Sequence, residues 1–127
     1  MGEADPVVRI AESERRPGAS TPGMIREAAF DTGTIWAGFV RTGAQMISGW
    51  HHHGEYESVI YVVAGKLRME SGPGGQSVVD AVPGDFLLVP RGAIHREGNP
   101  DEVEGTVVVV RSGSGPPVVN LEGPAAG

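Results

Sequence analysis

All four histidines of this chain fall in two glycine-flanked stretches. The first is Gly49-Trp50-His51-His52-His53-Gly54-Glu55-Tyr56-Glu57, and the second runs from Gly84 through Pro90, Gly92 and His95 to Asn99. Imidazole and carboxylate are the usual nitrogen and oxygen ligands of transition metals. In a strand, alternate side chains share a face, so His51 and His53 project together and His52 projects the other way. Glu57 lies two pleats beyond His53, on the same face if the strand is regular. His95 comes from far along the chain and reaches the others only if the fold delivers it. Taken alone, the triple histidine is also compatible with a short solvated polar tract.

The elements that must position these residues are short. Twenty glycines and ten prolines in 127 residues imply many turns and few long helices. The apolar residues are mostly Val and Ile, which favour strands. Expected strands cover 34–41, 44–48, 58–63, 66–70, 76–81, 86–89 and 103–111, separated by turn signals. The run Val107 to Val110 reads as a strand buried on both faces. Met24 to Phe30 reads as either a helical turn or an entry strand. Ser71-Gly72-Pro73-Gly74-Gly75 reads as a hairpin loop; no helix follows it, which favours a turn over a phosphate loop. Pro83-Gly84 suits the centre of a type II turn, and Pro90-Arg91-Gly92 makes a second turn just before His95. Many short strands without crossover helices imply an all-β sandwich or barrel.

With these residues, the chain resembles the cupin superfamily, as a small single-domain RmlC-like member. The family's second motif, G-x5-P-x-G-x2-H-x3-N, is met at every spacing by Gly84, Pro90, Gly92, His95 and Asn99. The first motif, G-x5-H-x-H-x3-4-E-x6-G, is met by His51, His53, Glu57 and Gly65, with two departures. Gln45 stands where the leading glycine is expected. The gap from Glu57 to Gly65 is one residue too long, and counting back from Gly65 places the carboxylate at Ser58. A one-residue slip turns a side chain to the other face. Either a bulge near the start of the strand re-aims Glu57, or the site has three histidines and no glutamate; the first is the reading adopted.

The resemblance implies a double-stranded β-helix, or jelly-roll barrel, over 24–112, with an N-terminal arm over 1–23 and a C-terminal tail over 113–127. In the arm, Val7 to Ile10 reads as a short strand or as part of a mobile segment. In the tail, Val118-Val119 reads as a docking pair. The implied ligands are His51, His53, Glu57 and His95 on one divalent transition metal ion, Fe, Mn, Ni, Co or Zn. The implied function is a metal-dependent, dioxygenase-like oxidoreductase acting on a small oxygenated molecule. A non-redox isomerase, lyase or cyclase, and a non-catalytic binding or sensing module, are the alternatives.

Trp50 is read as pocket wall or packing, Tyr61 as core, and Tyr56 and Glu55 as exposed. Arg91 and Arg96 are read as surface residues, and Gln45 as a candidate inward-facing residue. The net charge of −6 and the lack of a basic patch argue against nucleic acid and anionic membranes. The chain has no cysteine, which excludes disulfides, thiolate ligands and a cysteine nucleophile. There is no signal-peptide pattern at the start and no apolar stretch of bilayer length. The cytoplasm is the default compartment, and the little core of a small barrel, with the pairing common in the family it resembles, implies a homodimer with a small-molecule ligand.

Overall fold

A computed structural model describes residues 5–124. The opening of the signal-peptide reading, residues 1–4, lies outside them. The strands are β1 (Arg16–Pro17), β2 (Met24–Asp31), β3 (Ile35–Thr42), β4 (Trp50–His52), β5 (Glu57–Ala64), β6 (Leu67–Ser71), β7 (Ser77–Ala81), β8 (Phe86–Val89), β9 (His95–Gly98), β10 (Gly105–Ser112) and β11 (Val119–Leu121). Two three-residue 3-10 turns, Glu12–Glu14 and Pro73–Gly75, are the only helical elements among the described residues. No helix is long and apolar enough to cross a membrane.

The strands form two antiparallel sheets, as the all-β jelly-roll expectation requires. The larger has the order β1-β2-β3-β10-β5-β8 and the smaller the order β11-β4-β9-β6-β7. The core between them holds Trp36, Val40, Ile60, Val62, Leu67, Met69, Val89, Val107 and Val109. Period-two alternation puts these residues inside. On β5, Ser58, Ile60 and Val62 face inward while Val59, Tyr61 and Val63 face out.

Turn chemistry works where the residues demanded it. Gly84 has φ of 99° and Asp85 N donates to Val82 O at 3.0 Å. Gly92 has φ of 70° and Ala93 N donates to Pro90 O at 3.2 Å. Both conformations fall in the region open chiefly to glycine. The 71–75 loop joins β6 and β7, with Ser71 opposite Ser77.

The entry-strand reading of Met24 to Phe30 and the docking of the tail hold, and other expectations are corrected. The 44–48 segment is a loop that touches the smaller sheet through one bridge, Ile47 to Gly98. Met24–Asp31 is a strand. Residues 7–10 are not a strand, but Arg16–Pro17 pairs with β2. The tail contributes β11, which pairs with β4. The valine run of β10 is buried on one face only, since Val110 is outward and exposed. A sheet with one face on the core leaves alternate valines outside whatever their hydrophobicity.

The extra residue before Gly65 is absorbed at the far end of β5. There Val107 pairs with Val62 and Thr106 with Ala64, so Val63 is the bulged residue. The start of β5 is regular, with Ser58 opposite Arg111 and Glu57 opposite Ser112.

Asn99, the last residue of the second motif, is a structural clamp. It is 1% exposed, and its Nδ2 donates to Val103 O at 2.7 Å and to Thr42 O at 3.2 Å. Its Oδ1 accepts from Asp101 N at 3.0 Å. Asn99→Ala would strand these buried backbone groups, a loss of about 2–3 kcal/mol in urea unfolding, with metal stoichiometry unchanged.

Candidate metal centre

β4 and β9 are neighbours, and His51 sits directly opposite His95. His53 lies two residues beyond His51, and Glu97 two residues beyond His95. Period two therefore turns all four side chains inward. His51, His53, His95 and Glu97 are each 3% exposed or less. One donor atom from each lies within 4.8 Å of all the others.

The backbone decides which nitrogens face the centre. His51 Nδ1 lies 3.0 Å from Gly49 O, His53 Nδ1 lies 2.7 Å from Pro117 O, and His95 Nδ1 lies 2.9 Å from Ala93 O. A carbonyl accepts only from N–H, so each imidazole donates from Nδ1 and keeps its lone pair on Nε2. Pro117 belongs to the tail, which therefore orients His53. The Nε2 atoms of His53 and His95 are 3.2 Å apart. Glu97 Oε1 is 3.6 Å from His51 Nε2 and 3.5 Å from His95 Nε2. His51 Nε2 is buried without a hydrogen-bond partner.

This donor set fits a divalent ion. Ligand atoms each about 2.1 Å from a common ion lie about 3.0–3.5 Å from their neighbours; the His53–His95, His95–Glu97 and His51–Glu97 separations of 3.2, 3.5 and 3.6 Å are close to this. Three imidazole lone pairs and a carboxylate aimed at one another repel unless a cation stands between them.

The electrostatics keep His51, His53 and Glu97 in their binding forms. Burial lowers the imidazole of His53 to about 2, with the charge of Arg111 adding to the effect. Burial also lowers His51, against the opposing pull of Glu97. Burial pushes Glu97 upward, but its contacts with His51 and His95 outweigh this and hold it well below the usual carboxylate range. Neutral imidazole and ionised carboxylate are the metal-ligating forms.

Glu57 is not among the converging residues. It is exposed on the outer side of β5, because the strand starts in regular register. Ser58 takes the inward place, fully buried, and the carboxylate of the cluster comes from β9 as Glu97. The signal was present in the sequence: His95-x-Glu97 repeats the same-face spacing of His51-x-His53.

Other single-residue readings divide. Trp50 packs against the tip of the β6–β7 hairpin and under Arg96, whose guanidinium carbon is 4.7 Å from its ring centroid. Arg96 is also paired with Glu70 at 2.5 Å. Arg91 is exposed, and so is Gln45. Tyr56 is buried, at 2% exposed, and Tyr61 is outward, at 38%; both reverse the expectation, because β5 is shifted by one residue from the face assumed. His52 turns away from the centre and accepts from Gly54 N at 2.9 Å.

A cavity of about 50 Å³ is lined by His95 together with Met69, Leu88, Val89 and Ala93. It has room for a few water-sized groups beside the cluster.

The comparisons agree with this architecture. The family model for the cupin domain matches residues 39–111, more than half of the chain. The protein belongs to the cupin domain family. No curated protein matches the chain. Among solved structures it is similar to the polyketide cyclase RemF from Streptomyces resistomycificus, with TM-score 0.72, 20% identity, and coverage of 91% of this chain and 85% of that one. It is similar to an RmlC-like cupin from Shewanella frigidimarina, with TM-score 0.65, 19% identity, and coverage of 80% and 86%. It is also similar to Bacillus subtilis oxalate decarboxylase, with TM-score 0.72, 22% identity, and coverage of 86% of this chain and 30% of that one. These likenesses show the double-stranded β-helix fold.

The buried imidazoles make the metal-free protein sensitive to acid. An imidazole kept neutral when folded, but free to protonate near 6.5 when unfolded, gives the unfolded state more protons below that pH. Stability is then undiminished above about pH 6.5 and falls below it, by up to about 1.4 kcal/mol per pH unit for each such group. Glu97 adds a loss of the same sign only below its ordinary range near 4.3. Urea midpoints of chelator-treated protein should be flat from pH 8 to 7 and drop steadily from 6.5 to 5.

Proposed function

We propose that this cupin is a metal-dependent enzyme, dioxygenase-like, acting on a small oxygenated molecule. The observation that carries the reading is the convergence of three Nδ1-tethered imidazoles and one buried carboxylate on a single point. His51, His53, His95 and Glu97 would hold one divalent ion. Mixed nitrogen and oxygen donors suit Fe, Mn, Co, Ni or Zn. When bound, the ion supplies Lewis acidity, and redox chemistry if it is iron or manganese. Four protein donors leave two positions of a six-coordinate ion for a substrate, or for substrate and dioxygen. The protein's part is to fix the imidazole tautomers through Gly49, Ala93 and Pro117 and to exclude bulk water from the cluster.

The test begins with metal analysis of protein purified without added metal, followed by oxygen uptake of the Fe(II) form across a panel of hydroxy and oxo compounds. One metal per chain and substrate-dependent oxygen uptake are expected. Turnover without oxygen consumption would favour a non-redox isomerase, lyase or cyclase. Glu97→Gln should weaken metal binding tenfold or more, because the ligand's charge is lost, whereas Glu57→Ala should leave it unchanged. Equal effects of the two changes in a calorimetric metal titration would contradict this assignment.

We further propose a homodimer through the outer face of the larger sheet. Val59, Tyr61 and Val63 of β5 lie beside Phe86 and Leu88 of β8, all 38% exposed or more. Tyr61 pairs with Phe86 and Val59 with Leu88, and the Tyr61 and Phe86 rings are 4.9 Å apart. A continuous apolar patch of this kind marks an interaction surface. Light scattering at micromolar concentration should give twice the chain mass, and Phe86→Asp should reduce it to the monomer mass.

A further inference from the structure

Two arginines of the barrel interior are not used by the metal centre. Arg26 on β2 is 3% exposed and Arg111 on β10 is 2% exposed. A buried guanidinium ordinarily ends on carboxylates or carbonyls. Arg26 does so in part: its Nη1 donates to Ala19 O at 3.1 Å and to the Thr21 hydroxyl at 2.6 Å, while its Nε is buried without a partner. Arg111 does not. Its Nε and Nη1 are buried without hydrogen-bond partners among the described residues. Its guanidinium carbon is 4.5 Å from the Trp36 ring centroid, which fixes the plane of the group.

The cross-strand neighbours of Arg111 are Trp36 and Ser58. The Ser58 hydroxyl is also buried and without a partner. Unused donors from two adjacent strands thus face the same interior. Arg111 is close enough to the cluster for its charge to be felt at His53 and for the charge of Glu97 to act on it. Burial lowers Arg111 to about 9, so it remains cationic at neutral pH.

The charges are unbalanced. Glu97 is the only buried acid among the described residues, set against two buried arginines. A divalent ion would raise the imbalance to four positive charges against one negative. In a low-dielectric interior that excess favours an anionic ligand. A planar guanidinium matches a carboxylate in shape and hydrogen-bond direction.

We propose that Arg111, with Ser58 across the strand pair, is the anion-recognition element of this barrel, and that its ligand is a small molecule carrying a carboxylate held at Arg111. This deepens the metal-centre reading and rests on it for the ligand's second point of attachment.

The test uses lactate and its neutral isostere lactamide as probes. Both are titrated calorimetrically into the Co(II)-loaded wild-type chain and into Arg111→Met, after Co(II) stoichiometry is measured for each. Lactate should bind the wild type at least tenfold more tightly than lactamide. Arg111→Met should weaken lactate tenfold or more, leave lactamide unchanged and retain one Co(II). An unchanged lactate affinity in that variant would mean that the ion alone holds the carboxylate, and would overturn the proposal. Absence of Co(II) uptake would instead strike the metal-centre reading. Arg111 is also read in the Zn(II)-loaded wild type, a diamagnetic form, through the Trp36 indole resonance, which serves if the variant does not fold. A shift with lactate and none with lactamide supports the proposal; no shift with either overturns it.

Discussion

Everything at the centre of this barrel depends on three backbone carbonyls. Gly49, Ala93 and Pro117 each receive an Nδ1–H, and so each imidazole must present its Nε2 lone pair to the interior. Three lone pairs and a carboxylate within 4.8 Å of one another are mutually repulsive in a dry environment. The arrangement becomes favourable with a cation at its centre. The same burial that makes it costly when empty of charge compensation keeps His53 neutral and ready to ligate.

The strands around the cluster serve this constraint. β4 and β9 put His51 and His95 face to face, and β11 and the preceding tail bring Pro117 to His53. Ser48 locks the far side: its N–H donates to Glu97 O at 2.7 Å and its Oγ accepts from Glu97 N at 2.9 Å. The carboxylate is thereby held on the same strand segment as His95. Asn99 then closes β9 against the loop after β3 and the turn before β10. The motif's histidine and asparagine thus have different duties, one chemical and one architectural.

The two faces of the larger sheet divide function in the same way. The inner face carries Ser58 and Arg111 beside Trp36, a polar corner inside an otherwise apolar wall. The outer face carries Val59, Tyr61, Phe86 and Leu88. A strand alternates strictly, so one register decides both the lining of the cavity and the apolar surface offered to another chain.

The residues alone determined a great deal. Gly, Pro and β-branched patterning placed most strands and both turns around Pro83-Gly84 and Pro90-Gly92, because turn conformations and alternation are local properties. The second motif identified the fold family, and the HxH spacing showed that His51 and His53 share a face. The tertiary structure decided what local rules leave open. The extra residue before Gly65 could have been absorbed at either end of β5. Pairing with β10 placed the bulge at Val63, which kept Glu57 outside, turned Ser58 and Tyr56 inward and put Tyr61 on the surface. Glu97 joined the cluster, and Arg111 lost its solvent, only because β4 met β9 and β10 crossed between β3 and β5. Register and strand order are set by contacts between distant segments, and no window of sequence contains them.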